Sequence, residues 1–280
     1  MTEQARRSIL ITGCSSGIGL ACVRAMRDRG WRVFATARNE EDLDRLRSDE
    51  RVEVVYLDYT EPQSIAACAD TVLQATGGTL DALFNNGAYG QPGAVEDLPV
   101  DVLKAQFEAN VFGWHDLTNR FIPAMRRQGR GRIVHCSSVL GFVAAPYRGA
   151  YCASKFALEA LADTMRVELA ETGIRVVLIE PGPIHSRFVE HALAAYRANI
   201  DIESSPHAET YKARIAAMEQ GGSSTFKLEP ETVAAKLIKA VESPRPKPRY
   251  FVTVPTYLAA LFKRVLRPAP STPLQRGTSL

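Results

Sequence analysis

Short apolar, β-branched runs alternate with longer helical patterns along almost the whole chain, and this alternation restricts the fold more than any other feature. Residues 9–11, 32–36, 52–57, 81–84, 132–136, 175–179 and 250–254 read as strands. They are near-continuously apolar, as expected of parallel strands buried on both faces. Helical patterns fall near 17–29, 41–48, 61–76, 100–128, 151–172 and 230–243, with Gly30, Gly77, Gly78, Gly129, Gly131 and Gly173 where helices stop. Strict β/α alternation predicts an α/β fold: one doubly wound parallel sheet of about seven strands, helices on both faces, right-handed crossovers. No repeat or linker interrupts it, so residues 1–255 read as one unit.

Two stretches break the alternation. Residues 183–229 hold helical patterns without a strand and end near Gly221-Gly-Ser-Ser224. Ligands of such sheets bind outside the carboxyl ends of the strands, so an insertion after the sixth strand is expected to act as a substrate lid. The second stretch is 256–267, an amphipathic helix with Tyr257, Leu258, Leu261, Phe262, Val265 and Leu266 on one stripe and Lys263, Arg264 and Arg267 elsewhere. It suits docking on its own domain or a sister subunit; a membrane surface is the alternative. The Pro/Ser/Thr-rich 268–280 is expected to be disordered.

Bulk properties exclude several functions. The net charge of +3 and the absence of an aromatic-interleaved basic stripe argue against nucleic acid. Five cysteines, Cys14, Cys22, Cys68, Cys136 and Cys152, form no C-x-x-C pair, which disfavours a disulfide framework or zinc. No H-E-x-x-H occurs, and no metal is expected. The start, Met1 to Arg7, is polar, and no apolar run reaches the ~20 residues that span a bilayer. A cytoplasmic setting is expected.

The chemistry concentrates in three places. In Tyr151-Cys-Ala-Ser-Lys155 a phenol and an ammonium share one helix face. A free Tyr titrates near pH ~10, and a nearby cation lowers that value, fitting the phenol for general acid/base work. Ser138, at the end of the fifth strand, is placed to hydrogen-bond a carbonyl or carbinol oxygen. Thr12-Gly-Cys-Ser-Ser-Gly-Ile-Gly19 follows the first strand; Gly13, Gly17 and Gly19 permit a tight turn and close approach of a pyrophosphate to the next helix.

Together these residues resemble the short-chain dehydrogenase/reductase family in its compact branch, from Ser8 to about Pro255. The resemblance implies a Rossmann-type fold, a homodimer or homotetramer, and reversible hydride transfer between a nicotinamide cofactor and a small-molecule alcohol/carbonyl pair. It implies that Ser138 and Tyr151 hold the substrate oxygen, with Ser137 the rival for Ser138. Lys155 lowers the Tyr151 pKa and bonds the ribose. Asn110 anchors a water; alternatively it satisfies helix carbonyls at a bend. In the cofactor turn, Ser15, Ser16 and Ile18 join the glycines.

Arg38 stands where enzymes choosing NAD carry an acid, which implies NADP(H) over NAD(H); the alternative is an Arg stacked on adenine. Asp58 matches the adenine position, or begins a helix. Asn85-Asn-Gly-Ala88 matches the family's Asn-Asn-Ala-Gly with the last two residues exchanged, keeping Asn85 and Asn86. Pro181-Gly-Pro-Ile-His-Ser186 matches Pro-Gly-x-Ile-x-Thr, so Ile184 orients the nicotinamide and Ser186 replaces Thr. Phe142, Val143, Tyr147, Tyr89, Phe188 and Phe226 are candidate pocket residues. Similarity to hydroxysteroid and retinol dehydrogenases in 85–98 implies a lipophilic ketone, aldehyde or secondary alcohol. A non-catalytic cofactor-binding or scaffold protein of the same fold, or a membrane-surface reductase, is the alternative reading.

Overall fold

The computed structural model describes residues 6–220 and 226–265. Seven strands, β1 (Ser8–Ile11), β2 (Arg32–Ala37), β3 (Glu53–Tyr56), β4 (Ala82–Asn85), β5 (Gly131–Cys136), β6 (Ile174–Glu180) and β7 (Arg249–Phe251), form one sheet in the order β3-β2-β1-β4-β5-β6-β7. Every pairing is parallel. The strand order therefore reverses between β1 and β4, which opens the crevice that such sheets use for ligands. The expected fold is the fold observed.

The central strands are apolar because both faces are covered. Ile9, Leu10, Ile11, Leu83, Phe84, Val134 and Leu178 are all fully buried. Each such side chain contributes roughly 1.5–3 kcal/mol by leaving water. The helices are α1 (Gly17–Asp28), α2 (Glu40–Asp49), α3 (Pro62–Ala75), α4 (Val100–Phe107), α5 (Gly113–Arg127), α6 (Gly149–Glu168), α7 (Phe188–Asn199), α8 (Ala208–Glu219), α9 (Glu231–Glu242) and α10 (Val254–Val265). In α2 the Asn39 side chain accepts from the Asp42 amide at 2.8 Å, and Glu40, Glu41 and Asp42 fill the first turn. Those acids complement the helix dipole, which explains why an acidic run follows Arg38 so closely.

One long helix over 100–128 was expected; the structure has two, joined by a π turn at Glu108–Phe112. The joint sits where Asn110 turns inward. Its amide donates to the Tyr89 carbonyl at 2.8 Å and accepts from the Tyr89 amide at 3.2 Å.

Residues 183–229 leave β6 and form α7 and α8 around a small core of Tyr196, Ile200 and Tyr211. The Gly221–Ser224 segment lies outside the described residues, as do Leu266 and everything beyond it. α10 begins two residues before the expected stripe, and Tyr257, Leu258, Leu261 and Phe262 are exposed. Among the described residues no helix is long and apolar enough to cross a membrane. All five cysteines are free and buried.

Candidate active site

The carboxyl ends of the strands bring the candidate residues to one edge of the sheet. Gly13 follows β1, Arg38 follows β2, Asp58 follows β3, Asn86 follows β4, Ser138 follows β5 and Pro181 follows β6.

The glycine turn is built by close backbone approach. Gly13 has φ +67°, and a Cβ there would lie 2.5 Å from the Gly87 Cα; one on Gly19 would lie 2.1 Å from the Gly13 carbonyl oxygen. No larger residue fits either place. The Asn86 side chain fastens the turn, donating to the carbonyls of Thr12 at 3.0 Å and Gly13 at 3.2 Å. Ser16 then enters α1 with extended backbone and no side-chain cap, and no acidic residue occupies the first turn. The first amides of α1 thus lack a side-chain acceptor, the arrangement that receives a phosphate. A Cβ on Gly17 would lie 2.9 Å from the Ser186 Cβ, so the 181–186 loop borders the turn from the other side. That loop is held by the His185 amide donating to the Leu228 carbonyl at 2.9 Å. These features fit a dinucleotide.

The outer end is looser. Arg38 is 69% exposed, and its Nη1 lies 3.9 Å from Asp58 Oδ2. The other Asp58 oxygen is engaged by Thr60, through its amide at 2.8 Å and its hydroxyl at 2.7 Å. Arg45 donates to the Ser15 carbonyl at 2.6 Å.

Asn85 differs from expectation: it does not face the crevice. It is fully buried, accepting from the Tyr59 hydroxyl at 2.9 Å and donating to the Thr118 hydroxyl at 2.9 Å, with His135 Nδ1 at 3.2 Å. It braces the site from below, because its polar groups are already satisfied in the core.

At the other end of the crevice, α6 carries Tyr151 and, one turn on, Lys155. The Ser138 hydroxyl accepts from the Leu140 amide at 3.1 Å and faces the Tyr151 phenol. Burial pushes the phenol well above its ordinary pKa, Cys136 adds to this, and Ser138 and Arg148 pull it partly back. Lys155 was expected to lower that pKa; instead its ammonium turns to the Cys136 carbonyl, donating at 2.9 Å, with Nζ 5.7 Å from the Tyr151 ring centroid. Burial lowers the Lys155 pKa to about 8, against the opposing influence of Cys136 and Glu159. Both groups are therefore driven toward their neutral forms. A protonated phenol beside a hydroxyl can hold a carbonyl oxygen and give it a proton.

Ser137 is excluded as the partner of Tyr151. Its hydroxyl is buried without a hydrogen-bond partner among the described residues and lies against Gly141, where Glu159 also packs. Asn110 is fully buried and satisfied by Tyr89, with Ser154 Oγ at 3.4 Å.

Of the candidate pocket residues, Phe188 is the one on the phenol: the ring centroids are 5.3 Å apart at 64°. Phe142 instead lines a separate cavity of about 440 Å³ with Glu159, Glu180 and Arg249. Tyr147 packs edge-on against His207 and Tyr211, while Phe226 is exposed.

Sequence reasoning missed two groups. One fastens α7 and α8 to the 91–97 segment: His207 Nε2 to Glu96 at 2.6 Å, Ser205 to Asp97 at 2.6 Å, Tyr211 to Asp97, and Asn199 to Gln91 at 2.7 Å. The other is Trp114, whose ring lies under the Lys155 ammonium at 4.3 Å. Neither has a local signal, because the partners are distant in sequence.

The short chain dehydrogenase family model matches residues 7–197. The uncharacterized oxidoreductase YbbO of Escherichia coli K12 is 40% identical over 261 residues, 93% of this chain and 91% of that one. Human 17-beta-hydroxysteroid dehydrogenase type 1 is 35% identical, covering 89% of this chain and 78% of its own. Among solved structures, a short chain dehydrogenase/reductase from Burkholderia phymatum, in complex with NAD, superposes with a TM-score of 0.80 at 25% identity over 98% of this chain and all of that one. With its motifs, sheet order and family match in agreement, this chain belongs to the short-chain dehydrogenase/reductase family of oxidoreductases that use a nicotinamide cofactor.

Proposed function

We propose that this chain is an NADP(H)-dependent reductase or dehydrogenase that interconverts a carbonyl and an alcohol on a lipophilic small molecule. The observation that carries the reading is the polar pair under an aromatic cover: Ser138 and the Tyr151 phenol beneath the Phe188 ring. Such a site has two groups for one oxygen and apolar surface for the rest of the substrate. The similarity to a hydroxysteroid dehydrogenase supports the same class.

When bound, the nicotinamide would supply hydride exchange at the carbon bearing that oxygen. The chain's residues do the rest. Gly13, Gly17, Gly19 and the first amides of α1, with Ser15, Ser16 and Ile18 between them, would hold the pyrophosphate. Pro181, Ile184 and Ser186 would border the nicotinamide end. Ser138 would hold the substrate oxygen, and Tyr151 would donate its proton as charge develops there; in oxidation the proton returns to Tyr151. Lys155 would keep the phenol's surroundings positive and bond the ribose, with Asn110 fixing the backbone beside it.

NADP(H) is favoured by Arg38, an exposed guanidinium beyond β2 that is loosely paired with Asp58 at 3.9 Å. Residues 183–229 would form the substrate lid, with Phe188 as its inner edge. Unchanged hydrogen-exchange protection of 188–226 on forming the ternary complex would reduce that segment to ordinary packing. Cytoplasmic residence as a homodimer or homotetramer completes the reading. A panel of aliphatic, aromatic and steroidal carbonyls assayed with NADPH and NADH tests it. Turnover of apolar ketones or aldehydes with NADPH is the expected result; no turnover of any member, or equal dissociation constants for the two cofactors, overturns it.

A further inference from the structure

Lys155 is 1% exposed, and among the described residues its ammonium donates to the Cys136 carbonyl at 2.9 Å. A buried ammonium is costly unless nearby groups compensate its charge. An aromatic face lies beside it as a further partner. Trp114, itself fully buried, places its ring centroid 4.3 Å from Lys155 Nζ. The ring cannot rotate away, because the indole N–H donates to the Gly87 carbonyl at 2.8 Å. Tyr59 and His135 pack against the same indole at 6.1 and 5.9 Å. Gly87 is also the residue that touches Gly13, so the Lys155 support is tied to the glycine turn.

We propose that Trp114 is a positioning residue for Lys155: its ring face is the seat that keeps the buried ammonium charged and fixed within the site. This rests on the reading of Lys155 as part of a carbonyl-reducing site. A tryptophan face is the strongest aromatic partner for a cation, and the attraction grows when water is excluded. It also accepts no proton, so the ammonium keeps its remaining N–H groups for other partners.

The groups facing the ammonium bear on its titration. Tyr151 and Glu159 lie on α6 itself, and Cys136 and His135 on β5. His135 is neutral at working pH, since burial and then the Lys155 charge lower its pKa to about 3. Burial pushes the thiol of Cys136 up to about 11. Lys155, near 8, is therefore the group beside the indole that changes charge in the mildly alkaline range. Burial and then Glu159 push the Glu180 pKa up as well, but Glu180 is paired with Arg249, and a Lys155 variant separates the two.

The chain has two tryptophans, Trp31 and Trp114. Trp31→Phe removes the one outside the site, which bonds Glu242. In that background the emission of Trp114 should change with a midpoint near pH 8, and the change should vanish on adding Lys155→Met. No transition, or the same transition without Lys155, overturns the proposal. This arm needs no substrate. A transition in a protein that turns over no carbonyl supports the seat and overturns the proposed reaction, so the two failures are distinguishable. The kinetic arm uses Trp114→Leu and Trp114→Phe. Leu should move the alkaline limb of kcat/KM to lower pH by roughly one unit, a tenfold change in proton affinity, and Phe should restore most of it. Equal profiles for wild type and a folded Leu variant overturn the proposal. If Trp114→Leu does not fold, the fluorescence and Phe arms still decide.

Discussion

The two ends of the crevice are built on opposite principles. At the end proposed to be catalytic the charged and polar groups are withdrawn from water: Lys155 and Asn110 are almost completely buried and Ser138 nearly so. At the end proposed to take the adenosine, Arg38 is 69% exposed, and Asp58 lies 3.9 Å away. Charges in water are screened and contribute little individually; charges out of water are strong but costly to hold. The catalytic end should therefore be sensitive to single atoms and to pH, and the adenosine end to salt and exchangeable by mutation.

The sharpest test of the first half is Tyr151→Phe, which removes one hydroxyl from a packed ring. Turnover should fall by at least about a hundredfold, the loss expected of a general acid, while cofactor affinity by fluorescence titration stays within a few-fold. A variant keeping more than about a tenth of the activity would break the proton-transfer assignment and, with it, the contrast between the ends.

Lys155→Met should abolish most turnover and yet stabilise the fold. The folded pKa near 8 lies below the ordinary 10.5, so the unfolded chain binds the proton more tightly. The cost of burying the charge is full below about pH 8 and fades as pH rises toward 10.5. Urea unfolding at neutral pH should show a gain of up to roughly 3 kcal/mol, shrinking at about pH 10. A destabilised variant at neutral pH would mean that Trp114 and the Cys136 carbonyl already compensate the charge in full.

At the adenosine end, Arg38→Asp should shift preference from NADPH toward NADH by about tenfold, the lower part of the range for a charge-assisted hydrogen bond because the site is exposed. Dissociation constants of the two cofactors measure it directly, and no change would leave Arg38 as a stacking surface for adenine.

The smallest effect sharpens the contrast most. Raising salt to about 1 M, where the screening length is about 3 Å, should weaken NADPH binding by a few-fold. The same salt should leave the alkaline limb of kcat/KM where it was. Equal salt sensitivity of both would erase the distinction between the two ends.

What the sequence showed depended on whether the cause was local. The sheet could be read because buried parallel strands are apolar on both faces, as at Ile9–Ile11 and Leu83–Phe84. Gly13 and Gly19 could be read because a backbone contact forbids any side chain. Ser138, Tyr151 and Lys155 could be read as a set, from spacing and from a family resemblance. Distant pairings left no trace: nothing near Trp114 announces Lys155, and nothing near Asn85 announces Tyr59 and Thr118. The π turn at Glu108–Phe112 was invisible because one added residue shifts a helical pattern without ending it. Lys155 was misjudged in its partner, since spacing on a helix says which residues share a face but not which carbonyl of β5 an ammonium finds.

The five buried thiols give the molecule an internal set of clocks. Only thiolate reacts readily, and burial pushes Cys14 and Cys68 up to about 12 and Cys136 up to about 11. In the closed native chain an alkylating reagent meets no surface thiol. Each cysteine can be labelled only when its own surroundings open. They sit in the turn after β1, in α1, in α3, at the end of β5 and in α6. The order in which they are consumed would rank the opening of those elements, and a cofactor bridging β1 and β4 should slow Cys14 more than Cys68.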